Sequence, residues 1–95
     1  MRAVLTKWGQ QFADAALHQV TAKVWRVEVG AQAYTLKRRA DHATVWAEYN
    51  LLVWMKDRGL PVLPPILGED HVPWVHHGGD VYVLYPFVEG SAGDD

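Results

Sequence analysis

Residues 24–39 read VWRVEVGAQAYTLKRR, and this stretch decides the fold. Val24–Val29 is rich in β-branched residues, which favour strands. Gly30-Ala31-Gln32 is typical of a turn, and Ala33–Arg39 continues with a second strand pattern. We therefore expect a β-hairpin that connects two antiparallel strands.

A long helix is predicted directly after the hairpin, over Thr44–Arg58. Asp41 or Thr44 can cap its start, because a side-chain oxygen there can accept from a free backbone N–H group. Gly59 suits a left-handed helix end, and the proline that follows prevents continuation. Spacings of three and four residues place one set of side chains on a single face: Val45, Glu48, Leu51, Leu52 and Met55.

Glu48 is the only charged residue on that helix face. A carboxylate that faces a sheet needs a cation or hydrogen-bond donors, because unpaired burial is costly. Side chains alternate along a strand, so Thr35, Lys37 and Arg39 share one face, with Lys37 as the cation in mid-strand. Spacing alone leaves two interpretations open: Glu48 pairs with Lys37, or Glu48 lies at the edge of the stripe in solvent.

The remaining elements flank the hairpin and the helix. Arg2–Ala16 places apolar residues on one helical face and predicts an N-terminal helix. Three short strand candidates follow the long helix, at Ile66–Leu67, Val72–His77 and Val81–Phe87. Short turns between strands favour an antiparallel sheet, so the fold class is α+β, with about five strands and the long helix packed on one face.

Composition excludes several classes of protein. The chain has 95 residues, of which 49% are hydrophobic and 21% are charged, with a net charge of −2. These values fit one globular domain and no basic nucleic-acid surface. No cysteine, signal peptide pattern or membrane-spanning run is present, so a cytoplasmic protein without membrane contact is expected. His76 and His77 point to opposite faces of a strand, and no metal site is predicted.

Three segments in this order resemble a known family: VWRVEVGAQAYTLKRR (24–39), WAEYNLLVWMKDRGLPV (46–62) and VYVLYPFVEG (81–90). Together they are similar to the N-terminal, ATP-binding lobe of the aminoglycoside phosphotransferase and choline kinase superfamily. The spore-coat kinase-like and homoserine-kinase-like branch is the nearest in character. The resemblance implies a protein-kinase-like lobe over residues 17–90, an extra N-terminal helix over 1–16 and a flexible interlobe linker over 91–95.

The resemblance also implies roles for individual residues in binding ATP. Lys37 matches the strand lysine that contacts the α- and β-phosphates, and Glu48 matches the helix glutamate that holds this lysine. The implied pairing agrees with the first of the two interpretations from spacing. Val24 and Thr35 match the small side chains that lie above the adenine.

The segment Tyr85–Val88 is similar to the hinge that reads the adenine edge through its backbone. Pro86 suits a position that supplies only a carbonyl, because proline has no N–H. Val88 would then supply the N–H group. Phe87 is the alternative donor if the register is shifted by one residue.

Two departures from the family bear on activity. The loop His18–Lys23 contains no glycine, whereas kinases use a glycine-rich turn there so that backbone N–H groups approach the phosphates. The family's catalytic and metal-binding aspartates come well after the hinge, so the 95-residue chain alone is expected to be inactive. The resemblance implies Mg²⁺ only together with a second lobe.

Three functions remain open at this point. The first is the ATP-binding lobe of a phosphotransferase that transfers the γ-phosphate to a hydroxyl of a small metabolite or antibiotic. The second is a non-catalytic kinase-like structural module of the spore-coat type. The third is an unrelated small α+β interaction domain.

Aromatic residues predict an interaction surface on the long helix. Trp46, Tyr49 and Val53 form a second apolar stripe, and the hinge strand adds Tyr82, Tyr85 and Phe87. An apolar cluster of this kind exceeds what a small monomer usually exposes. We expect contact there with a missing C-terminal lobe or with another copy, unless the N-terminal helix folds over these residues.

Overall fold

The computed structural model describes residues 2–87, which form an α+β unit built on one antiparallel sheet. The sheet has five strands in the spatial order β1-β2-β3-β5-β4. The strands are β1 (Ala16–Thr21), β2 (Val24–Val29), β3 (Gln32–Arg39), β4 (Val75–His77) and β5 (Asp80–Pro86). The helices are α1 (Arg2–Leu5) and α2 (His42–Asp57), and two 3-10 turns follow α1 at Thr6–Trp8 and Gln10–Phe12.

The predicted hairpin is confirmed as β2 and β3. Val24 lies opposite Lys37, and Arg26 lies opposite Thr35. Gly30 adopts a φ of 58° in the turn, a left-handed conformation that glycine tolerates without steric cost. This register places Val24, Thr35 and Lys37 on the same face of the sheet.

The predicted long helix is confirmed as α2, with its start at His42. The Asp41 carboxylate accepts from the Thr44 backbone N–H at 2.8 Å, so Asp41 is the N-cap. Gly59 has a φ of 82° and donates its N–H to the Lys56 carbonyl, as expected for a glycine helix end. The apolar stripe differs from expectation at Leu51, which is 56% exposed, because the helix packs on the sheet mainly through its first half.

The main core lies on the sheet face opposite α2. We call this the core face, and its buried strand residues are Trp25, Val27, Leu36, Val75, Tyr82 and Leu84. Residues 2–15 cross it and bury Val4, Leu5, Trp8, Phe12 and Ala15 against it. The Trp8 indole N–H donates to the Ile66 carbonyl at 2.8 Å, which satisfies the polar atom of a buried ring.

The prediction of one helix over Arg2–Ala16 is wrong. The helix ends at Leu5, and Gly9 has a φ of 142°, outside any helical conformation. Side chains of L-residues rarely adopt this φ, so the bend favours glycine. The apolar residues still share one buried side, but two 3-10 turns bring them there.

The count of five strands is confirmed, but one member differs. Ala16–Thr21 forms β1, which was not predicted as a separate strand, and its side chains are mostly exposed. Ile66–Leu67 is not a strand, although the Ile66 N–H donates to the Leu84 carbonyl at 2.9 Å. The candidate Val72–His77 shortens to Val75–His77.

The helices within residues 2–87 are too short or too polar to cross a bilayer.

Candidate functional site

The second face of the sheet carries the residues that the sequence singled out. We call it the site face, and cross-strand pairing assigns Val24, Thr35, Lys37, Arg39, Val83 and Tyr85 to it. Helix α2 lies on this face, where Val45 packs against Val81 and Val83 with no exposed surface. The strands therefore fix the lysine, the arginine and the tyrosine, and α2 supplies the glutamate.

Glu48 pairs with Arg39. The guanidinium donates to the two carboxylate oxygens at 2.9 and 3.5 Å. The Tyr85 hydroxyl donates to Glu48 Oε1 at 3.0 Å and accepts from the same guanidinium. Arg39, Glu48 and Tyr85 thus form a closed cluster of charge-assisted hydrogen bonds.

The expected direct ion pair between Lys37 and Glu48 does not form, but Lys37 lies on the sheet face that α2 covers, and its charge contributes to the lowered pKa of Glu48. Only Ala40 and Asp41 separate β3 from α2, so the start of the helix stays beside the end of the strand. Lys37 lies two residues back along the strand from Arg39, about 7 Å away at the usual rise of a strand. The glutamate contacts the nearer cation, whose planar group can bind both oxygens.

The cluster shifts the pKa values of its members. Burial alone would raise the pKa of Glu48, but hydrogen bonds from Arg39 and Tyr85 more than compensate and lower it. The pKa of Arg39 is raised, chiefly by its hydrogen bond to Glu48. Burial and the hydrogen bond to Glu48 raise the pKa of Tyr85 to about 12. The arginine stays charged, the carboxylate stays ionised and the phenol stays protonated at neutral pH.

Lys37 keeps its ammonium group available. Its side chain is exposed, and within residues 2–87 no carboxylate lies within ion-pair distance of it. The ammonium nitrogen lies 5.3 Å from the centre of the Tyr85 ring, a distance that allows a cation–π interaction. The strand thus presents a positively charged group beside a ring whose hydroxyl is held by the ion pair.

The residues predicted around the adenine lie on the neighbouring strands β2 and β3 and at the end of β5. Val24 and Thr35 are both half-buried on the site face. Pro86 is the last residue of β5 and lies opposite Tyr34. The Phe87 N–H donates to the Ala33 carbonyl at 3.1 Å, so the sheet already uses this donor. Val88 lies outside the described residues.

The turn between β1 and β2 contains no glycine. Thr21 and Val24 flank Ala22 and Lys23, and the Lys23 N–H donates to the Thr21 hydroxyl at 3.1 Å. Part of the predicted loop His18–Lys23 is therefore strand, and only its last residues form the turn. One backbone donor that could face a phosphate is bound to a side chain within the turn.

The flank of α2 exposes aromatic residues. Trp46 stacks on Tyr49 at 5.9 Å between ring centres and meets Trp74 edge-on at 5.7 Å. Trp46 remains 44% exposed and Trp54 51% exposed. The alternative that the N-terminal segment covers this flank is wrong, because that segment packs on the core face.

Strand β5 contributes to both faces, and this corrects the predicted aromatic cluster. Tyr82 is buried on the core face against Trp25, with ring centres 6.1 Å apart. Tyr85 is half-buried on the site face, and Phe87 is 43% exposed at the strand end. Only Tyr85 and Phe87 remain accessible beside the site.

Sequence reasoning missed two roles. Arg39 was placed on the correct face by strand alternation, but it was not assigned as the partner of Glu48. Tyr85 was assigned through its backbone, whereas its hydroxyl contacts Arg39 and Glu48. The sequence signal for Arg39 was its same-face position beside Lys37, and no spacing rule pointed to the tyrosine hydroxyl.

Comparison with known proteins supports the fold. No family model matches the chain, and no curated protein matches it. Among solved structures, it is similar to an aminoglycoside phosphotransferase from Alicyclobacillus acidocaldarius subsp. acidocaldarius DSM 446, with a TM-score of 0.73 and 19% sequence identity. The match covers 95% of this chain and 27% of that chain. At the level of the fold, this unit is a kinase-like N-terminal lobe.

Proposed function

We propose that this chain is the ATP-binding lobe of a kinase-like phosphotransferase that acts on a small molecule. The observation that carries the proposal is the unpaired ammonium of Lys37 on the site face, in line with Val24 and Thr35. The likeness to 27% of an aminoglycoside phosphotransferase supports a lobe that works together with further chain. The acceptor class is a hydroxyl of a small metabolite or antibiotic, and the spore-coat or homoserine-kinase-like branch is the proposed relationship.

The described residues fit a nucleotide in their chemistry. Val24 and Thr35 are half-buried and offer a partly apolar surface for the adenine. Pro86 would accept from the adenine amino group through its carbonyl, and Val88 would donate through its N–H. Lys37 would neutralise the α- and β-phosphates as a point charge.

Catalysis requires groups beyond the nucleotide site. In a kinase-like reaction, Mg²⁺ would neutralise charge on the phosphates and a carboxylate would orient the attacking hydroxyl. Glu48, the carboxylate of the cluster, is bound by Arg39 and Tyr85 and has a lowered pKa, so it is unsuited to accept a proton. We propose that a second lobe provides the catalytic base and the magnesium ligands, and that residues 1–95 alone transfer no phosphoryl group.

A second candidate function is a kinase-like module without catalysis. Two observations favour it: the turn Ala22–Lys23 lacks glycine, and Glu48 pairs with Arg39 in place of Lys37. Both features would weaken phosphate binding. Such a module would keep the fold and bind ATP no better than adenosine.

Calorimetric titration of the chain with ATP and with adenosine tests the proposed function. We expect weak ATP binding that exceeds adenosine binding, because Lys37 contacts phosphates. Lys37→Ala should reduce ATP affinity roughly tenfold or more, as expected when a hydrogen bond to a charged group is lost. Lys56→Ala, at the exposed end of α2, is the matched control and should change nothing. Equal binding of ATP and adenosine, or no binding of either, would contradict the proposed function and favour the non-catalytic module.

We further propose that the exposed flank of α2 and the end of the hinge strand form an interface with a second lobe or another copy. Trp46 and Phe87, at 44% and 43% exposed, motivate this proposal. Light scattering over a concentration series should show a mass that increases with concentration. Trp46→Ser should reduce the increase, whereas Leu67→Ser, on another exposed surface, should not. A constant monomer mass at high concentration would contradict self-association.

A further inference from the structure

We propose that Tyr85 positions the Lys37 ammonium for phosphate binding, in the role that kinase-like lobes give to a helix glutamate. The inference rests on the proposed function for its phosphate ligand. It adds a positioning residue that the family resemblance does not assign, and it makes Arg39 part of the same device.

The first step is the loss of the expected partner. Glu48 forms hydrogen bonds with both Arg39 nitrogens and with the Tyr85 hydroxyl. Within residues 2–87 no carboxylate lies within ion-pair distance of Lys37, and Glu48 acts on it only through the longer-range attraction that helps to lower the pKa of the glutamate.

The second step is the contact that Lys37 does make. Its ammonium nitrogen lies 5.3 Å from the centre of the Tyr85 ring. Tyr85 pairs with Thr35 across the sheet, and Lys37 pairs with Val83, so the two side chains are diagonal neighbours on the site face. A ring face attracts a cation without neutralising its charge, so the ammonium remains able to bind an anion.

The third step is the rigidity of the ring. The Tyr85 hydroxyl donates to Glu48 and accepts from Arg39, so its outer end is held from two elements. The ring is half-buried at the edge of the smaller core around Val45 and Val83. A side chain fixed at both ends can hold the flexible lysine in one region at little further entropic loss.

The charges of the cluster agree with an anionic ligand. Two cations, Lys37 and Arg39, stand against one carboxylate, Glu48, which leaves one excess positive charge. Arg39 neutralises Glu48, so the glutamate does not repel phosphate oxygens that approach Lys37. The arrangement thus separates two tasks: Arg39 balances the glutamate, and Lys37 faces the ligand.

Two variants separate the ring from the hydroxyl. Tyr85→Phe keeps the ring and removes the hydroxyl, whereas Tyr85→Leu removes both. If the ring positions Lys37, Tyr85→Leu should weaken ATP binding about three- to tenfold, in the range of a cation–π contact, and leave adenosine binding almost unchanged. Tyr85→Phe should retain most of the ATP affinity. Tyr49→Leu, a half-buried tyrosine on α2 away from the cluster, is the matched control and should bind ATP like the unaltered chain.

A measurement without ligand keeps the test independent of nucleotide binding. In NMR spectra of the lysine-labelled chain, the Lys37 ε-methylene protons should be shifted upfield by the Tyr85 ring, with the assignment made from Lys37→Arg. This shift should persist in Tyr85→Phe and vanish in Tyr85→Leu. The shift itself is observed in the unaltered chain, and only its assignment uses Lys37→Arg, so a failure of Tyr85→Leu to fold does not remove the test.

The outcomes distinguish this inference from the proposed function. An absent upfield shift in the unaltered chain overturns the positioning role of Tyr85, whether or not ATP binds. ATP binding that is the same in Tyr85→Leu and in the unaltered chain also overturns it and leaves the proposed function intact. A clear shift together with no ATP binding overturns the proposed function and the phosphate ligand assigned to Lys37.

Discussion

The two faces of the sheet differ in how far their side chains are buried. The core face buries Trp25, Leu36 and Leu84 beneath the N-terminal segment. On the site face, α2 has one fully buried residue, Val45, and the middle of the sheet carries Lys37 and Arg39. The difference teaches that burial on one face stabilises the fold, while the other face leaves polar groups accessible.

Strand β3 contributes to both faces at once. Leu36 has no exposed surface, and its neighbours Thr35 and Lys37 point to the opposite face. A shift of the register by one residue would exchange them, burying the ammonium and exposing the leucine. The hydrophobic core on one face therefore fixes the position of the charge on the other.

The largest loss of stability is expected from a substitution that creates a cavity in the core face. Phe12 is buried and meets Tyr34 edge-on at 5.1 Å between ring centres. Phe12→Ala should lower the free energy of unfolding by about 3–5 kcal/mol, because it removes buried apolar surface and leaves a void. Urea denaturation followed by tryptophan fluorescence measures the change.

Phe87→Ala is the matched control for that prediction, since this phenylalanine is 43% exposed beside the site face. It should change the free energy of unfolding by less than about 1 kcal/mol. Similar losses in the two variants would contradict the contrast between the faces.

Much of the fold could be predicted from the sequence. The hairpin followed from β-branched runs on either side of Gly30, and α2 followed from the cap Asp41 and the end at Gly59. Local chemistry decides these features, so a local pattern contains the information. Strand β1 was missed because its side chains are mostly exposed and show no alternation of burial.

The N-terminal segment shows that an apolar pattern can be identified correctly although the secondary structure predicted from it is wrong. Spacings of three and four residues bring Leu5, Trp8 and Phe12 to one side in an α-helix, and also in the observed chain of 3-10 turns. The bend at Gly9 decides between them, and it depends on packing across the sheet.

The sequence predicted which face of the sheet carries the candidate site, but not which cation pairs with Glu48. Alternation puts Lys37 and Arg39 on the same side of β3, and helix periodicity turns Glu48 toward them. The choice of partner depends on how far α2 slides along the strand. That position is set by the packing of Val45 on β5, which no local spacing contains.

A moderate loss of stability is expected from Arg39→Met, a substitution on the site face. This variant removes the ion pair and leaves Glu48 with the Tyr85 hydroxyl alone. Because both charged side chains are partly exposed, solvent screens the pair, and the loss of unfolding free energy should be about 1 kcal/mol or less. Urea denaturation measures it, with Arg38→Met on the same strand as control.

A loss of unfolding free energy in Arg39→Met close to that in Phe12→Ala would contradict the contrast between the two faces. It would mean that the Arg39–Glu48 pair stabilises the fold as strongly as the core does.

A further expected effect appears at alkaline pH, in the ionisation of Tyr85. Its pKa is raised from 10.0 to about 12, chiefly by burial and by the hydrogen bond to Glu48. A raised pKa in the folded chain means that the protonated phenol contributes stability that is fully present below pH 10 and is lost as the pH rises toward 12. Absorbance titration of phenolate should show one late-titrating tyrosine that is absent in Tyr85→Phe.

Tyr34→Phe, on the core face beside Phe12, is the control for this titration. It should leave the late component in place. If the late component disappeared in Tyr34→Phe, it would belong to the other face of the sheet.

Strand β1 has a consequence for how the chain behaves at high concentration. It forms one outer edge of the described sheet, its side chains are mostly exposed, and Val20 is 64% exposed. An outer strand offers backbone groups to which a further strand can add, and this is how fibrils elongate. The bulge between Gln19 and Thr21 twists that edge and interrupts such addition. Ordered aggregation of this chain should therefore begin along Ala16–Gln19, and a substitution that straightens the bulge should accelerate it.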